Sequence, residues 1–111
     1  MKREKLTDKK ILNKLEEKKE ELKRYGVKKI GIFGSFVRGQ QNKKSDIDIL
    51  VEFDLDRFGK NFKGLYETYI ELSEYLEKLF GRKVDILTPI SIETIRVKEV
   101  AEEIKKSVRY V

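Results

Sequence analysis

The sequence predicts an α/β (α+β) fold: a small mixed three-stranded sheet flanked by helices, in the order αβ(α)βαβα. Three observations carry that prediction. Residues 46–53, DIDILVEF, alternate apolar and polar side chains with the two-residue period of a half-buried strand. Residues 7–25 and 61–80 instead repeat apolar positions every three or four residues, as helices with one buried face do. Two more short runs, 28–33 and 83–87, each follow a glycine placed to end a helix.

Each element has local reasons. In the first helix Thr7 supplies an N-cap hydroxyl, Asp8 suits the first turn, and Ile11, Leu12, Leu15 and Leu22 form the apolar stripe, with Gly26 ending it. The first strand, KKIGIF, stops at Gly34-Ser35, and residues 36–45 read as one helical turn followed by a polar loop. In the second strand Ile47, Ile49, Val51 and Phe53 share one face, and Asp46, Asp48, Leu50 and Glu52 the other. A loop containing Asp54, Asp56 and Gly59 leads to the long helix, whose buried side carries Leu65, Tyr69, Leu72, Leu76 and Leu79. Gly81 caps it, KVDIL forms the third strand, and Pro89 breaks the chain before a final helix over about 92–107. Tyr66, Tyr69 and Tyr75 are expected to pack rather than stack on bases; Tyr110 is either an interface residue or a frayed end.

At 111 residues the chain is expected to be one domain, 1–111, with no internal repeat or linker. It has no cysteine and no histidine, which excludes disulfides, thiol nucleophiles, Ser-His-Asp chemistry and Cys- or His-ligated metals. Any chemistry must rest on carboxylates, hydroxyls, lysine, arginine and bound ions. No apolar run reaches the length of a membrane span and the start lacks a signal-peptide pattern, so the expectation is a cytoplasmic protein with no membrane partner. The net charge of +6 would suit an anionic partner, but lysines and glutamates are interleaved throughout, which favours a plain solvated surface. Lys43 and Lys44 are read as solvated loop charges.

The segment GSFVRGQQNKKSDID, residues 34–48, carries the chemical signal. Two residues apart on a strand, Asp46 and Asp48 leave the same face about 6.6 Å apart along it. Carboxylates crowded on one face are most easily kept there by a cation, and oxygen-only ligands suit Mg²⁺ or Mn²⁺. Gly34 lets a phosphate approach the backbone, Ser35 offers a hydroxyl and an amide, and Arg38 lies one turn later as a candidate phosphate ligand. Arg38 is equally well read as a solvated or salt-bridged arginine, and Ser45 as a residue that shapes the turn before the strand. The short first connection favours antiparallel neighbours and the long helix favours a parallel crossover, which would bring Gly34, Asp46, Asp48 and Asp85 to one end of the sheet. Two metal ions about 3.5–4 Å apart, held by these three aspartates, would suit in-line displacement at phosphorus.

Gly34-Ser35, ten residues and then Asp46-Ile47-Asp48 form the GS-x10-DxD pattern, and the chain resembles the DNA polymerase beta-like nucleotidyltransferase superfamily. Asp85 in RKVDILTP matches that superfamily's third carboxylate. Within it the chain is most similar to the minimal nucleotidyltransferases, including MntA-type antitoxins, over nearly its whole length. The resemblance implies a catalytic and metal-binding set of Asp46, Asp48 and Asp85, a nucleotide-binding set of Gly34, Ser35, Arg38 and Ser45, two Mg²⁺ ions, and ATP as donor. It further implies transfer of AMP to a tyrosine hydroxyl of a partner HEPN toxin, in a hetero-oligomer with that toxin. A catalytically idle docking module, and transfer to RNA or a small molecule, are the competing readings. Nucleic acid is not the expected partner, because no arginine–aromatic cluster supports it.

Overall fold

Strand β1 (Val27–Phe33), β2 (Ile47–Phe53), β3 (Val84–Leu87) and β4 (Arg109–Tyr110) form one mixed sheet in the order β3-β2-β1-β4. The computed structural model describes residues 6–34, 46–59 and 64–111. β1 and β2 run antiparallel with Phe33 opposite Asp48, and β2 and β3 run parallel with Asp48 opposite Asp85. The parallel pair is joined by a crossover connection, as such pairs must be, and here it contains a helix, α3 (Leu65–Phe80). At its start Ile47 N donates to Lys83 O at 3.0 Å.

Strand alternation assigns the two faces. On one face lie α1 (Asp8–Glu17), α2 (Lys19–Arg24) and α3, whose Ile11, Leu15, Leu22, Leu72 and Leu76 meet Ile30, Ile32, Ile47, Ile49 and Val51 of the sheet. On the other, α4 (Pro89–Glu93) and α5 (Lys98–Ser107) cover a much smaller cluster of Phe33, Leu50 and Ile92. Among the described residues the first cluster holds 14 buried residues and the second three. At about 1.5–3 kcal/mol for each fully buried aliphatic side chain, cohesion resides mainly in the first. The second face is therefore the one with room for a site.

Side chains from α3 tie the layers together. The free edge of β3 is blunted by Glu77, whose Oε2 accepts from Val84 N at 3.2 Å, and by Tyr69, whose hydroxyl donates to Ile86 O at 3.3 Å. Tyr75 donates its phenol to Glu21 Oε2 at 2.6 Å and lies 5.4 Å from the Tyr25 ring. Burial, then the hydrogen bond and negative charge of Glu21, push the Tyr75 phenol up to about 12.

The sheet has a fourth strand where the sequence predicts three. β4 pairs with β1 through Gly31 opposite Tyr110 and Ile32 opposite Arg109, and Val111 N donates to Ile30 O at 3.0 Å. Arg109 Nη1 donates to Asp8 Oδ2 at 2.7 Å, and Lys29 Nζ stands 5.7 Å from the centre of the Tyr110 ring. Tyr110 is thus a strand residue. The signal for β4 is Gly31: a Cβ there would lie 2.6 Å from Arg109 O and 2.9 Å from Val108 Cγ1, so only glycine admits the neighbouring strand.

Helix boundaries differ in three places. The helix expected over 7–25 is two, parted at Lys18 (φ −97°, ψ 12°), and nothing local in the sequence marks the break. The final helix is also two. Pro89 initiates α4 rather than ending a segment, because at the first helical position its missing N–H costs nothing and Thr88 Oγ1 caps by accepting from Ser91 N at 3.2 Å. α3 begins at Leu65, and residues 61–63 lie outside the described residues. Tyr69 and Tyr75 pack as expected, whereas Tyr66 is 73% exposed because it falls off the buried stripe of α3.

Candidate active site

The lightly covered face carries the acidic residues. Phe33 ends β1, Asp48 is the second residue of β2, and Asp85 is the second residue of β3; the register aligns all three across strands about 4.8 Å apart. Side chains aligned in this way share a face, so Asp48 and Asp85 stand side by side with Phe33 as an apolar neighbour. Asp48 is half-buried and Asp85 exposed.

Gly34 follows directly, with φ at 78°, a conformation that L side chains rarely adopt. A Cβ at this position would overlap Asp48 Oδ2. The glycine is therefore required twice: by its own backbone, and by the carboxylate that occupies the space a side chain would take.

A cavity of about 510 Å³ opens over these residues, with Gly34, Asp48 and Asp85 on the sheet side. Phe33, Leu87 and Tyr69 contribute apolar walls, and α5 closes the far side with Val100, Glu103, Ile104 and Ser107. The volume is that of a small-molecule site, apolar in most of its lining with a few convergent polar groups. Asp46 lies immediately before β2, half-buried, and is not among the residues lining the cavity. Ser35, Arg38 and Ser45 lie outside the described residues, as do Lys43 and Lys44.

The donor set fits a hard divalent cation. Asp48 and Asp85 offer only oxygen ligands, and among the described residues no three acidic side chains gather into a ready metal cage. Two carboxylates with the remaining positions open is how Mg²⁺ is commonly held, the rest of its shell coming from water and phosphate. The part of the cavity that sequence reasoning missed is the α5 wall. Its signal is present in the sequence, since Val100, Ile104 and Ser107 recur at helical spacing, but the pattern does not say which sheet face the helix covers.

Paired acids at one end of the sheet, with a glycine of positive φ beside them, suit a divalent cation and a phosphate that approaches the backbone closely. Residues 9–111 match the nucleotidyltransferase domain model, and the chain belongs to that family. Within it the chain is a nucleotidyltransferase of the MntA-like kind. A Methanocaldococcus jannaschii protein, provisionally named a protein adenylyltransferase, is 48% identical over 72% of this chain and 75% of its own. The protein adenylyltransferase MntA of Thermococcus cleftensis is 42% identical over 78% of this chain and 81% of its own. Among solved structures, one provisionally named a minimal nucleotidyltransferase superposes with a TM-score of 0.68 at 23% identity, covering 94% of this chain and 95% of that one. A toxin–antitoxin crystal structure with AMP-PNP shares the fold with a TM-score of 0.55 at 21% identity, covering 95% of this chain and 72% of that one. Among the described residues no helix is long and apolar enough to cross a membrane.

Proposed function

We propose that this chain transfers AMP from ATP to a tyrosine hydroxyl of a partner HEPN-type toxin, and so acts as an antitoxin. The observation that carries the reading is the pairing of Asp48 with Asp85 in a cavity floored by Gly34. The names of the relatives, protein adenylyltransferases, favour a protein acceptor, and the fold shared with a toxin–antitoxin structure favours a toxin as that protein.

In this reading Asp46, Asp48 and Asp85 would hold two Mg²⁺ ions, which would supply Lewis-acid stabilisation of the charge on the reacting phosphates. On the sequence pattern, Gly34, Ser35, Arg38 and Ser45 are the residues proposed to bind the nucleotide. Asp85 orients the acceptor hydroxyl and takes its proton. A bond forms between the phenol oxygen and the α-phosphorus, the bond from that phosphorus to the bridging oxygen breaks, and pyrophosphate leaves.

The test is incubation of the protein with ATP labelled at the α-phosphate and Mg²⁺, with and without the protein encoded beside it, and alongside an Asp46→Ala, Asp48→Ala double variant. Label is expected on the neighbour only with the intact aspartates, falling by at least 100-fold in the double variant. A tight complex formed equally by both proteins, with no label transferred by either, would replace the transferase with a docking antitoxin.

A further inference from the structure

α5 contributes one acidic side chain to the cavity, Glu103, on the wall opposite the sheet. It does not complete a metal cage with Asp48 and Asp85, since among the described residues no three acidic groups are gathered for that purpose. Nor does a carboxylate suit the phosphates, which it would repel. Hydroxyl donors are what an anionic carboxylate receives best in a nucleotide site: O–H···O⁻ bonds are short and roughly twice as strong as neutral ones, and two carboxylate oxygens match a vicinal diol. The neighbourhood agrees. Val100 and Ile104 flank Glu103 on α5, and with Phe33 and Leu87 they line the same cavity with apolar surface, while Gly34 and the aspartates hold the polar end. Val100 is 45% exposed although it belongs to the apolar stripe of α5, so this stripe continues past the small core and into the cavity. A nucleotide laid across the cavity with its phosphates at Gly34 brings its sugar and base under α5.

We infer that Glu103 is a specificity-determining residue that accepts hydrogen bonds from the ribose hydroxyls of the nucleotide, so that α5 selects ribonucleotides over deoxyribonucleotides. The inference rests on the proposed use of ATP at this site. It assigns to the chain itself a sugar contact that the sheet residues do not supply.

The experiment compares the Mg²⁺-dependent affinities of ATP, 2′-deoxy-ATP and 3′-deoxy-ATP by calorimetry, for the wild type, Glu103→Ala and Glu103→Gln, with thermal unfolding of each as a check on folding. Wild type should bind ATP about 10-fold or more tightly than 2′-deoxy-ATP, as a hydrogen bond to a charged group allows. Glu103→Ala should bring the ratio close to one by weakening ATP more than either deoxy analogue, and Glu103→Gln, which keeps an acceptor, should retain part of it. A merely structural role would weaken all three nucleotides together and leave the ratio unmoved. A preference that persists in Glu103→Ala, or is absent from the wild type, overturns the inference while leaving the transferase reading standing. Binding with the expected ratio but without AMP transfer would uphold the sugar contact and sink the transferase. Failure of the wild type to bind any of the three nucleotides would sink both.

Discussion

At the scale of single residues, Gly34 joins backbone to chemistry. Its positive φ and the Asp48 carboxylate beside it each exclude a side chain, so Gly34→Ala must either shift the turn or displace the acid. The variant is expected to unfold with a stability loss of about 1–3 kcal/mol and to bind ATP with Mg²⁺ at least 10-fold more weakly, read by thermal melting and calorimetry. A variant that melts lower yet binds normally would confine the glycine's role to the backbone. The residues around it were unevenly legible. The pattern linking Gly34 to Asp48 lies within one short segment, whereas Asp46, expected on the same strand face, precedes β2 and does not line the cavity. The Asp48–Asp85 pairing needed one further step, the inference that a helix-containing connection makes neighbouring strands parallel. Glu103 was not legible as a site residue, because a glutamate on an amphipathic helix looks the same whether it faces water or a ligand.

At the scale of elements, α3 is held against α2 by the Tyr75–Glu21 hydrogen bond and the Tyr25–Tyr75 contact. The Tyr75 phenol is raised in the folded state to about 12 from the usual 10, so its contribution to stability is complete below pH 10 and is lost as pH climbs from 10 through 12. Wild type should therefore melt above Tyr75→Phe at pH 8, and the gap should shrink at pH 11; ultraviolet titration of the phenolate should show one tyrosine ionising late. A gap that stays constant across that range would mean that folding does not shift the ionisation of the phenol. Strands and the buried faces of α1 and α3 were readable because burial imposes a period. The breaks at Lys18 and between α4 and α5 were not, since charged helix-forming residues run through the first. In the second, Pro89 can stop a helix or start one depending on whether a cap precedes it.

At the scale of the molecule, the two faces of the sheet divide the work: the larger core supplies cohesion, and the thinner layer under α4 and α5 supplies a cavity wall that β4 holds in place. Gly31→Ala tests that division. The added methyl would meet the backbone of Arg109, and the expected result is a stability loss of about 1–3 kcal/mol. Amide exchange should accelerate in β4 and α5 while α3 and β2 keep their protection; uniform acceleration through all four would make the molecule a single cooperative unit instead. The Asp8–Arg109 ion pair, which joins positions 101 residues apart, places a further condition on the molecule. Closing a loop of that length carries an entropic cost that local hairpin and helix contacts do not. On that ground β1 and β2 are expected to pair before the ends of the chain meet, and Asp8→Ala, followed by stopped-flow circular dichroism, should speed unfolding more than it slows refolding.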